Sequence, residues 1–107
     1  MWFHPYLNEI EAITCWDSLE HIADPTPLLT NVKQWVFASL PIFKNVEHIL
    51  RSKHFRPKEH CWYFTRNGFA GWMKEFGFAC MQHSDIESRL GREGIENFVL
   101  KRVEGVL

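Results

Sequence analysis

The sequence predicts an α/β domain, on three observations. Trp35-Val36-Phe37-Ala38-Ser39-Leu40 is almost wholly apolar and stops at Pro41, the pattern of a strand covered on both faces in a parallel sheet. A helix start, Asp24-Pro25, separates that run from an earlier strand-like run. Phe69, Trp72, Met73 and Phe76 recur at helical spacing, and Gly77 follows as a stop.

Taken in order, Trp2 to Leu7 is aromatic and interrupted by Pro5, so it reads as an extended strip that buries its rings against a neighbour. Ile10 to Cys15 carries β-branched Ile13 and Thr14 and predicts the first strand. Asp24 as N-cap, with Pro25 at the first helical position, predicts a short helix to Val32. Trp35 to Leu40 is the second strand. Phe43, Val46, Ile49 and Leu50 fall at helical spacing, and Arg51 to Glu59 is a charged loop. Thr65 caps the helix that ends at Gly77. Phe78 to Ser84 and Asn97 to Val103 predict two further strands, and their short, glycine-containing connection favours an antiparallel pair.

The chain has 107 residues, enough for one domain around one core, and no linker or repeat divides it. Twelve basic residues face 13 acidic ones with no basic stripe, which argues against nucleic acid as a partner. No apolar run is long enough to span a bilayer. Cys15, Cys61 and Cys80 are odd in number and widely spaced, which suits free thiols in a reducing, cytoplasmic setting.

The order strand, helix, strand, helix, hairpin resembles the second half of the class I S-adenosylmethionine-dependent methyltransferase domain. The nine residues Asp17-Ser18-Leu19-Glu20-His21-Ile22-Ala23-Asp24-Pro25 carry every fixed letter of the D-x-L-E-H-x-x-D-P stretch that one subgroup places after its fourth strand. His60-Cys61-Trp62-Tyr63-Phe64-Thr65 resembles the segment before that subgroup's next helix, and Gly77-Phe78 its approach to the sixth strand. The resemblance implies a partial Rossmann-like sheet whose strands are equivalent to the family's fourth, fifth, seventh and sixth, with two or three helices. It implies S-adenosylmethionine as cofactor and a small-molecule methyl acceptor as partner. No counterpart of the family's Gly-rich cofactor loop is present, and Gly91-Arg92-Glu93-Gly94 opens no helix. Residues 1–107 are therefore expected to form one C-terminal half-domain, inactive in isolation.

Ligands of open α/β sheets lie beyond the carboxyl ends of the strands, which puts Trp16 to His21 beside a cleft. The resemblance assigns Trp16, Asp17 and Ser18 to the methionine and sulfonium end of the cofactor; alternatively, Asp17 caps the following turn. His21 and His60 are the candidate general bases, since imidazole takes a proton near neutral pH, with a backbone-bonded, turn-holding histidine as the alternative. Tyr63 is the substrate-binding candidate, against a place in the core.

His48, His54 and His60 recur every six residues, which is not the spacing of neighbours on a helix, so no metal site is expected from them. Cys15 lacks the glycine elbow of a nucleophile. Arg51, Lys53, Arg56 and Lys58 form a basic cluster that would draw an anionic substrate, or simply a solvated loop. If the first strand is an edge, its unpaired backbone needs cover, either from Trp2 to Leu7 or from a second copy in a homodimer. The rival to the enzyme reading is a non-catalytic α/β interaction module built on the same sheet.

Overall fold

The computed structural model describes residues 9–103. The Trp2 to Leu7 strip lies outside the described residues. Within them a four-stranded sheet runs in the order β1-β2-β4-β3, with β1 at Ile10–Trp16, β2 at Val32–Pro41, β3 at Phe78–Ser84 and β4 at Ile95–Arg102. The first two strands are parallel, and β4 is antiparallel to both β2 and β3. This is the expected order, with the last strand inserted between the second and third.

β1 and β2 are joined by a 3-10 turn at Leu19–His21 and by α1 at Thr26–Thr30. Asp24 does not cap this helix. Its carboxylate accepts from the Thr26 N–H at 3.0 Å, two residues on, and the helix starts one residue later than expected. Leu28 and Leu29 are buried beneath it. β2 also starts earlier than expected, at Val32. Lys33 and Gln34 lie at its exposed end, where Lys33 pairs with Glu9 at 3.1 Å, so their polarity hid a strand that continues past the apolar run.

The helix expected over Phe43 to Leu50 is α2, Val46–Arg51, capped by Asn45, whose side chain accepts from the His48 N–H. Phe43 is buried before it begins, while Val46 and Leu50 face solvent, so the apolar spacing there does not mark a core-facing stripe. α3, Arg66–Glu75, follows its sequence pattern closely. Thr65 caps it by accepting from the Gly68 N–H at 3.0 Å, and Phe69 and Met73 are fully buried against the sheet. Gly77 adopts φ +89°, which the turn into β3 requires and a side chain resists; a Cβ there would also stand 3.0 Å from the Arg102 guanidinium. The polar connection before β4 contains α4, a single turn at Ile86–Arg89 that its sequence did not signal.

The core joins Val36, Ala38 and Leu40 of β2 to Phe98 and Leu100 of β4, with Phe69, Met73 and Phe78 against them. Phe69 meets Phe98 at a ring separation of 4.7 Å. Arg102 ties the far end together. Its guanidinium donates to the carbonyls of Leu29, Val32 and Phe76 and lies 4.3 Å over the Phe78 ring.

Candidate functional site

β1 and β2 both end at the same side of the sheet, and there the chain leaves β1 abruptly. Asp17 takes φ +52°, a left-handed conformation uncommon outside glycine, and its N–H donates to the Ser39 carbonyl at 2.8 Å. Leu19 is buried and anchors the turn, which sets Glu20 inward and His21 outward.

The second motif closes over the first. The N–H groups of Cys61 and Trp62 both donate to the Glu20 carbonyl, at 2.6 and 3.1 Å. The Trp62 indole donates to the Ile22 carbonyl at 2.8 Å, and the Cys61 thiol approaches the His21 carbonyl at 3.3 Å. A stretch 40 residues downstream is thereby fastened along the 3-10 turn, which brings the His21 and His60 rings to 4.6 Å, edge to face.

A cleft of about 200 Å³ lies at this junction, with Asp17, Glu20, His21, Pro41, His60 and Arg92 among its lining. Larger grooves of about 360 and 830 Å³ run beside α2 and α3, and neither is lined by Trp16, Asp17, Ser18, His21, His60 or Tyr63. Arg92 bridges the rim, pairing with Asp17 Oδ2 at 2.5 Å and with Glu87 at 3.2 Å. Asp17 Oδ1 is buried without a hydrogen-bond partner.

Glu20 is 2% exposed, and neither of its carboxylate oxygens has a hydrogen-bond partner beyond a contact with its own backbone. Burial pushes its carboxyl above the ordinary range, opposed by its own backbone and by His21. Burial, then the neighbouring His21, hold the His60 imidazole below its usual value and keep it neutral. Cys15 is pushed up to about 11 by burial, so it remains a thiol and has no nucleophilic character at neutral pH.

The nominated residues divide. Asp17, His21 and His60 come together at the cleft. Trp16 stands at the end of β1 with its side chain 56% exposed, and the Ser18 side chain hydrogen-bonds Cys15. The Tyr63 hydroxyl accepts from the Arg56 N–H at 3.0 Å, and its ring packs among Phe43, Phe55 and His60. His48 accepts from the Lys44 N–H away from the cleft, while His54, which also lines the cleft, bonds the Glu93 carbonyl through Nε2. Sequence reasoning passed over Glu20 and Arg92. Glu20 was visible as a fixed letter of the nine-residue motif; Arg92 carried no signal, since it lies 75 residues from Asp17 in the chain.

A family model described as a methyltransferase domain matches residues 4–83. The crystal structure of magnesium protoporphyrin IX methyltransferase from Synechocystis PCC 6803, with bound SAH, shares the fold with a TM-score of 0.58 at 14% identity. The match covers 96% of this chain and 50% of that one, so the chain spans about half the length of that enzyme. No curated protein matches the sequence significantly. Among the described residues, no helix is long and apolar enough to cross a membrane. With the family model covering most of the chain and the sheet order to match, the chain belongs to the methyltransferase-domain family.

Proposed function

We propose that this chain forms one wall of an S-adenosylmethionine-dependent methyltransferase site. The observation that carries the reading is the docking of the two motifs, which gathers Asp17, His21 and His60 at the carboxyl ends of two parallel strands. The end of β1 fits one side of the cofactor, because Asp17 Oδ1 is unpartnered and the Trp16 indole is exposed. Trp16, Asp17 and Ser18 would hold its methionine end. When bound, S-adenosylmethionine supplies the electrophilic methyl group.

The chain's own residues orient the acceptor and remove its proton. His60, kept neutral by burial, has a lone pair for a small-molecule acceptor, and His21 stands beside it. Tyr63 packs edge to face on His60 at a ring separation of 5.7 Å and would meet the acceptor through it. Positioning donor and acceptor together lowers a barrier by roughly 7 to 11 kcal/mol, which one wall cannot supply. The 107 residues alone are therefore proposed to bind cofactor weakly and to be inactive, the rest of the site coming from the half of the domain that this chain does not match.

Among the described residues the outer edge of β1 has no strand beside it, which supports pairing with a second copy in a homodimer. The unpaired state of all three cysteines suits a cytoplasmic protein. Calorimetry and amide NMR with S-adenosylmethionine test the cofactor wall. The expected result is millimolar binding with shifts confined to Trp16–Ser18 and their contacts. Tight one-to-one binding would overturn the half-site proposal, and the absence of shifts at Trp16–Ser18 would overturn the assignment of that wall. Retained folding with no cofactor response at any concentration favours the interaction module.

A further inference from the structure

We propose that Glu20, His21 and His60 form a site for a divalent transition-metal ion. Each offers one ligand atom, and the three atoms lie within 4.8 Å of one another. Ligands bound at about 2.1 Å in tetrahedral geometry stand about 3.4 Å apart, so rotation of side chains by roughly an ångström closes the site. Two imidazoles and one carboxylate suit zinc, cobalt, manganese or iron in preference to magnesium or calcium, which take oxygen.

Two independent features point to a ligand here. The first is the Glu20 carboxylate, which is 2% exposed with both oxygens unpartnered, an arrangement that costs stability unless a cation or donor meets it. The second is the way the rings are held. His21 Nδ1 lies 2.5 Å from the Glu59 carbonyl, and a carbonyl only accepts, so Nδ1 carries a proton and Nε2 is the nitrogen left to face a ligand. His60 likewise bonds the His54 backbone through its ring. Metal-binding histidines are oriented in this way, by an outer hydrogen bond to a backbone carbonyl. The regular His48, His54, His60 series thus contributes one member, and the other two ligands come from the first motif.

Three protein ligands leave a position open toward the cleft, next to Asp17. An acceptor oxygen bound there would give up its proton to solvent more readily, so in the ion-loaded chain the ion would take over the role that the His60 imidazole has in the ion-free chain. Binding of the ion does not depend on the methyl-transfer reading and is measured without cofactor.

The chain is stripped with a chelator and titrated with zinc by calorimetry, then with cobalt by visible absorption. The expected result is one equivalent bound, with cobalt bands of a low-coordinate nitrogen and oxygen site and no thiolate charge-transfer band. His21→Gln and His60→Gln each weaken zinc by about 100-fold or more, beyond the 10- to 100-fold typical of outer-shell partners, while His48→Gln leaves it unchanged. In the unmodified chain, imidazole nitrogen NMR shows zinc shifts at His21 Nε2 and at one His60 nitrogen, a readout that no misfolded variant can obscure. Absence of saturable binding, binding that survives both histidine substitutions, or a cobalt–thiolate band would overturn the site.

Discussion

The two ends of the sheet treat buried charge in opposite ways. At one end the Arg102 guanidinium, paired with no carboxylate among the described residues, is satisfied by three carbonyls from α1, β2 and the end of α3, and by the face of Phe78. At the other end Glu20 is more deeply buried and its carboxylate oxygens meet almost nothing, while Asp17 adds a strained backbone and a second unpartnered oxygen. A charge whose demands are met locally is structure. A charge left wanting in a cleft is kept for something that arrives.

Breaking the satisfied end has the largest effect. Arg102→Met removes three charge-assisted hydrogen bonds and strands the carbonyls of Leu29, Val32 and Phe76, for an expected loss of about 3 kcal/mol in denaturant unfolding. A loss below about 1 kcal/mol would mean that water serves those carbonyls equally well. At the unsatisfied end, zinc at a hundred times its dissociation constant is expected to raise stability by about 2.7 kcal/mol, seen as a higher melting temperature that a chelator reverses.

Glu20→Gln sharpens the contrast further. It removes a buried charge without changing shape, so the ion-free chain gains on the order of 1 kcal/mol while the zinc-dependent rise in melting temperature disappears. Such opposed effects mark a residue held for function at the expense of stability. Trp62→Phe keeps the aromatic packing and deletes only the bond to the Ile22 carbonyl, for an expected cost of about 1 kcal/mol and a loosened His60 in hydrogen exchange. The smallest effect is chemical. At pH 8 a thiol reagent labels exposed Cys61 first, whereas Cys15, with its pKa pushed up to about 11, stays protonated and unlabelled until the chain unfolds.

Legibility differed between elements for physical reasons. α3 was readable because cap, apolar stripe and glycine stop are all local. The amino end of β2 was not, because Lys33 and Gln34 sit at a register shift between Val32, which pairs with Ile10, and Trp35, which pairs with Ala12, and that backbone pairing leaves no mark on side-chain polarity. α2 misled in the other direction: its apolar spacing is real, yet Val46 and Leu50 meet no core. In the site, His21 and His60 were both nominated from their motifs, but nothing in either motif places them at 4.6 Å.

The sequence by itself determined the α/β class, the strand order through its resemblance, and the two segments that meet at the cleft, because these depend on local pattern and on motif. Only the tertiary structure decided which groups share a site. The Glu20 carbonyl receives Cys61 and Trp62, Arg92 reaches past the end of β2 to Asp17, and Tyr63 turns toward Arg56. Each of these contacts joins residues by folding geometry, and the isolation of the Glu20 carboxylate is likewise a property of what surrounds it, visible only once the chain has closed around it.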